Sequence, residues 1–290
     1  MRRHLLIAGV ALLVVGIPRA CCGQPFSNVL DGFGLFKTGH FDQTGPAMVV
    51  VDHYTFTATA LEESGSTETI NGVELSWTDG SSGTQNAVLT RSGIEWSYYD
   101  DDPTTYASEA DLTNVHPSAN DYEYTIEVDG AGMFTESLDG PNDLYPDTVP
   151  AVSNFAALQS AHAAGDIDIE FAGFSAGAAA NFMFVRVVVA DGVGFVWGDQ
   201  DTNTATSLTI PAGTLQVGTP YTLSLRYEAR RLDSAIGTVF TGAFANYTFE
   251  YVTEMDLVVI PEPQTSNLLL LALAGLYGLT LSDDRRRTRA

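Results

Sequence analysis

Cysteine is nearly absent from this chain of 290 residues: the only two, Cys21 and Cys22, stand side by side near the N-terminus. No residue beyond them can form a disulfide, a thiolate metal site or a thiol nucleophile. Positive charge is scarce as well, with 13 basic residues against 36 acidic ones and a formal net charge of −23. That balance argues against nucleic acid as a partner, because phosphates demand basic patches. Charged residues make up only 17% of the chain, yet apolar residues reach 45%. Such a composition excludes a disordered acidic segment and supplies a core for one large domain or two small ones.

The few basic residues gather at the ends. Arg2, Arg3 and Arg19 lie at the start, and Arg285, Arg286, Arg287 and Arg289 at the finish. Residues 24–260 retain Lys37, Arg91, Arg186, Arg226, Arg230 and Arg231 beside 33 acids, a net charge of −27. The N-terminus has the layout of a secretory signal peptide over residues 1–23. Arg2 and Arg3 precede an apolar run of 13 residues, Leu5–Ile17, and Pro18 then breaks the helix. Small residues follow, and cleavage is expected near Gly23, which would leave a cysteine-free exported protein. A lipoprotein signal fits poorly, because Pro18 or Arg19 occupies the place where a Leu-like residue would precede the cysteine.

The C-terminus carries the most specific pattern. Pro261-Glu262-Pro263 is followed by 14 uncharged residues, Leu268–Leu281, and then by Arg285-Arg286-Arg287. A helix of that length covers about 21 Å, short of a ~30 Å hydrocarbon core. Thr265–Asn267 and snorkelling arginines could extend it. Arginines after it would stay in the cytoplasm and leave the preceding chain outside.

These residues resemble the PEP-CTERM sorting tail of bacterial exported proteins, over about 30 of 290 positions. The resemblance implies recognition near Pro261, Glu262 and Pro263 by an exosortase, a membrane cysteine transpeptidase. It also implies a transient or permanent membrane anchor, and hosts that make exopolysaccharide. Ser282-Asp283-Asp284 departs from the family pattern by separating the helix from the arginines.

Residues 24–260 read as all-β. Tyr122, Tyr124, Ile126 and Val128 alternate with polar residues, as do Tyr221 to Tyr227 and Tyr247, Phe249 and Tyr251. Period-2 alternation sets one face on a core and the other in water. Phe182–Val189, nearly all apolar, predicts a strand covered on both faces. Asn71-Gly72, Asp79-Gly80, Asp129-Gly130, Asp139-Gly140 and Asp191-Gly192 read as turns. The sum predicts an antiparallel β-sandwich or jelly roll, with a hydrophobic helix at each end of the precursor. A helix capped by Ser153 is expected up to Gly165, and prolines before it suggest two lobes meeting near residue 150.

Chemical motifs are incomplete. Gly173-Phe174-Ser175-Ala176-Gly177 matches a nucleophile elbow, but no histidine follows Ser175 to complete a triad. Asp199, Asp201 and Asn203 have the alternating oxygens of a Ca²⁺ loop, without the glycine and distal glutamate of an EF-hand. Asp100-Asp101-Asp102, with Asp111 nearby, is a second Ca²⁺ candidate. His40, His53, His116 and His162 show no zinc spacing. Trp96 and Tyr98 fall on one face of an alternating run, and would stack on sugars if exposed.

The reading is therefore of a non-enzymatic, surface-sorted structural or adhesive protein of a bacterial cell envelope or exopolysaccharide matrix. The alternatives are a carbohydrate-binding module and a carboxylate-dependent polysaccharide hydrolase, the latter needing two facing acids.

Overall fold

The computed structural model describes residues 29–142, 144–234, 240 and 242–261. Residues 1–23, Glu262, Pro263, the run 268–281 and Arg285–Arg287 lie outside the described residues. In chain order the strands are β1 (Leu30–Gly45), β2 (Met48–Glu62), β3 (Ile70–Thr78), β4 (Thr84–Val88), β5 (Thr90–Ser92) and β6 (Glu95–Asp100). Helix α1 (Glu109–Val115) precedes β7 (Asp121–Val128) and β8 (Gly132–Asp139); α2 (Phe155–Leu158) precedes β9 (Ile167–Glu170). Then come β10 (Phe182–Asp191), β11 (Phe195–Thr202), β12 (Ser207–Ile210), β13 (Pro220–Ser234) and β14 (Phe244–Val258).

The expected β alternation is borne out. Strand β7 buries Tyr122, Tyr124, Ile126 and Val128, while β14 buries Tyr247, Phe249 and Tyr251. One eight-stranded sheet, ordered β11-β10-β13-β14-β1-β2-β6-β5, runs through the body. A four-stranded sheet, β4-β3-β7-β8, and a two-stranded one, β12-β9, complete it. All pairings within these sheets are antiparallel except one. The first and last strands, β1 and β14, run parallel, from Gly32 opposite Phe244 to Asp42 opposite Glu254.

Two apolar cores lie along the same face of the large sheet. The first joins β1, β2 and β6 to the four-stranded sheet through Phe33, Phe56, Leu75, Trp77 and Tyr124. The second joins β10 and β13 to β9 and β12 through Val187, Leu223, Ile169 and Ile210. Strand β14 serves both, giving Tyr247 and Phe249 to the first, and Met255 and Leu257 to the second. Odd-numbered residues of one strand share a face, so both cores sit on one side of the sheet.

Three local expectations are corrected. Strand β10 is covered on one face only: Val185, Val187 and Val189 are buried, whereas Phe182 is exposed. Asn71-Gly72 is a bulge inside β3, not a turn, because the register with β7 shifts there. The helix expected from Ser153 to Gly165 shrinks to Phe155–Leu158, with Asn154 at its N-cap position. Tertiary pairing stops it at both ends. The Ser153 N–H donates to Glu170 O (2.8 Å), and Ala161 O accepts from Ile260 N–H (3.0 Å).

Candidate functional site

The densest chemistry among the described residues gathers where β1, β6 and α1 meet. Alternation along β6 sends Trp96, Tyr98 and Asp100 toward the interior. Ser108 caps α1 by accepting from the Asp111 N–H (3.2 Å), and the helix ends at His116, whose N–H bonds Leu112 O. This places His116 Nε2 at 2.8 Å from Asp100 Oδ2. The same oxygen accepts from Tyr106 OH (2.7 Å) and Tyr98 OH (3.1 Å).

His116 is fully buried, stacked on Phe56 at 4.0 Å between ring centroids. Burial lowers its pKa, against the pull of Asp100; facing a carboxylate acceptor, Nε2 is the nitrogen that donates. Nδ1 is buried without a hydrogen-bond partner. Burial also works against the Asp100 charge, but hydrogen bonds from His116 and the tyrosines hold its pKa below the ordinary value. The same burial, with Asp100 nearby, pushes the Tyr98 hydroxyl up to about 12.

Lys37 on β1 completes the cluster. It is the only lysine in the chain, and it is 2% exposed. Its ammonium donates to His116 O and to Ser118 Oγ (2.9 Å), and stands 5.2 Å from the centroid of the Phe249 ring. Burial draws its pKa down to about 7, Glu109 partly opposing. A cavity of about 10 Å³ beside it, lined by Phe56, Ser118 and Tyr122, is near the lower limit for one water. Gly140 and Pro141 also border a shallow depression of about 380 Å³, lined by Asn120, Asp121, Asp139 and Arg231.

This is a base, an orienting carboxylate and an amine, but they are turned on one another. A general base needs reach to a substrate proton, and His116 Nδ1 is enclosed. The arrangement ties β1 and β6 to residues 116–118, a structural clasp.

The sequence-predicted residues are dispersed. Asp199 and Asp201 lie within β11, an edge strand, and each accepts the N–H of the next residue, Gln200 (2.8 Å) and Thr202 (2.6 Å). The Asn203 side chain instead donates to Phe174 O (2.8 Å). An extended strand spaces alternate residues about 6.7 Å apart, so the motif is not the tight loop its spacing suggested. In the aspartate run, Asp100 faces the clasp, Asp101 meets His53 Nε2 (3.0 Å) and Asp102 bonds Thr104 and Thr105. Among the described residues, no group of three or more His, Cys, Asp or Glu is placed to hold a metal ion.

Trp96 is a correction. It is 7% exposed, belongs to the first core, and its indole N–H donates to Glu62 Oε1 (2.6 Å). Its ring is therefore closed to a sugar. Tyr98 is partly buried against the same core. Ser175 Oγ donates to Asp147 Oδ2 (2.5 Å) in an exposed turn, with no histidine bonded to it. Two acids do face each other, Glu228 and Glu250 across β13 and β14. They are engaged by Arg230 and Arg186, and by Arg226 and Thr38 respectively, and the Glu228 side chain is 3% exposed.

Sequence reasoning missed both histidine contacts. His40 and His53 stack across β1 and β2 at 4.5 Å, and His116 meets Asp100 across a loop and helix. Only the hairpin register could have announced the first pair.

No protein-family model matches the chain, and no curated protein does. Among solved structures, the FN1–FN3 domains of chicken CNTN1 align at 11% identity with a TM-score of 0.29. The alignment covers 70% of this chain and 62% of that one, a likeness too distant to carry an argument. The chain thus spans less than two thirds of that structure's length.

Proposed function

We propose that this is an exported structural or adhesive protein of a bacterial cell envelope or exopolysaccharide matrix, processed or anchored through a PEP-CTERM-type tail. One observation supports the reading: the described residues next to the Pro261-Glu262-Pro263 pattern are held by the folded body. Ile260 pairs with His162, and His162 Nδ1 donates to Pro261 O (3.2 Å). The body's contacts therefore reach the first proline of that pattern.

The topology suits a tethered role. The tail continues from β14, the strand between antiparallel β13 and parallel β1. Tension on the tail runs along β14 and strains the bonds of two long ladders together, rather than opening them one by one. Parallel β1 starts at the opposite end of its ladder, so the two chain ends load that ladder in shear.

The test is fractionation of the native host followed by mass spectrometry of the mature C-terminus. A new C-terminus near Pro261, lost with Glu262→Gln, is expected. An intact tail in both forms, with unchanged surface display, would defeat sorting.

A further inference from the structure

We propose that one end of the eight-stranded sheet is a membrane-docking rim, which rests the body on the bilayer that receives the tail. The inference builds on the tail reading above and adds a contact surface within the folded body.

The strand register defines that end. Val258 stands opposite Pro220, and Asp191 opposite Tyr221, so the β10–β11 turn reaches the same level as the end of β14. Asp42 pairs with Glu254, so the β1–β2 turn at Pro46 and Ala47 reaches that level too. Fourteen large apolar side chains are exposed among the described residues, and eight of them lie at this end. The principal ones are Val193 (93%), Phe195 (63%), Met48 (59%) and Val50 (57%), joined by Val258 and Ile260. From β11 to β2 the rim crosses six strands, about 24 Å.

Such a concentration of exposed apolar groups marks an interaction surface. Its location selects the partner. The last described residues, Ile260 and Pro261, stand here, and the uncharged run follows them in sequence. Seven residues, 261–267, separate the fold from the uncharged run beginning at Leu268, and they can span at most about 24 Å. A body tethered that closely must bring one end to the bilayer, and this end carries hairpin tips without charge.

The nearest carboxylates stand behind the tips. Asp191 is turned onto the N–H groups of Val193 (2.7 Å) and Gly194 (2.9 Å), and Asp52 onto His53 (2.9 Å), while Asp42 and Asp256 are exposed on the strands. They favour zwitterionic over anionic lipid.

The full chain, with Cys21→Ser and Cys22→Ser, would be reconstituted in phosphatidylcholine vesicles carrying brominated acyl chains. An environment-sensitive fluorophore is attached through Val50→Cys, Val193→Cys or, at the opposite end, Ile94→Cys. Quenching is expected to be at least about twofold greater at the two rim positions than at Ile94→Cys, as for side chains at the acyl boundary. Equal quenching at all three, while the protein floats with the vesicles, overturns the rim and leaves the tail standing. Failure to float removes the tail reading and the rim with it. Rim probes shielded from bromine but cross-linking copy to copy would make a second copy the occupant, and would also overturn the proposal.

Discussion

Asp100 Oδ2 lies 2.8 Å from His116 Nε2, and two tyrosine hydroxyls converge on the same oxygen. One carboxylate thus satisfies three donors from β6, the following loop and the end of α1. Replacing it with Asp100→Ala strands a buried imidazole and two phenols. The expected loss is about 3 kcal/mol in chemical denaturation. His116→Phe should cost less, because it keeps the stack on Phe56 and removes the unpaired Nδ1. The folded pKa of Asp100 lies below its ordinary value. Its contribution is therefore present above about pH 4 and lost as pH falls through the folded value. A loss for Asp100→Ala as small as for His116→Phe would contradict the convergence.

Lys37 has the opposite linkage. Its folded pKa is about 7, against 10.5 ordinarily. Between these values the unfolded chain binds more protons, so stability rises with pH, by at most about 1.4 kcal/mol per unit. The wild type should gain stability from about pH 7.5 to 9.5 relative to Lys37→Met, which has no such proton to lose. Parallel profiles for the two proteins would show that the ammonium is not buried as described.

Because Lys37 is the only lysine, amine chemistry reports its burial directly. An amine-reactive ester should mark the folded protein at its N-terminal amine alone. A second label should enter only in denaturant. Labelling of Lys37 in the native state, located by peptide mapping, would place the amine at the surface.

Trp96 distinguishes core from glycan contact. Its indole is buried and bonded to Glu62, and the Arg91 guanidinium lies 5.6 Å from its ring. Trp96→Ala should lower stability by about 3–5 kcal/mol, as large core truncations do. Polysaccharide pull-down at a temperature where the variant stays folded should match the wild type. Selective loss of retention, with stability unchanged, would restore a sugar-stacking role.

The β content was legible because alternation is local. Tyr122 to Val128 and Tyr247 to Tyr251 announce their buried face with no knowledge of their neighbours. The candidate sites were less legible, since each depends on what lies across the sheet. Trp96 and Tyr98 share a face, as their spacing requires, but that face covers a core completed by β1, β2, β3, β7, β8 and β14. Asp199 and Asp201 have loop-like spacing, yet pairing with Val187 and Val185 draws them into a strand. Ser153 could have capped a helix, but its N–H serves Glu170 instead.

The sequence by itself determined the scarcity of thiols, the acidic body between basic ends, and the alternation that makes strands. These depend on composition and on contacts between near neighbours. Tertiary structure alone decided that β1 lies parallel to β14, that β14 serves two cores, and that Asp100, His116 and Lys37 meet. Those relations join residues from 16 to more than 200 positions apart, and no local preference specifies such a pairing. They are settled only when burial of both cores fixes every strand's register at once.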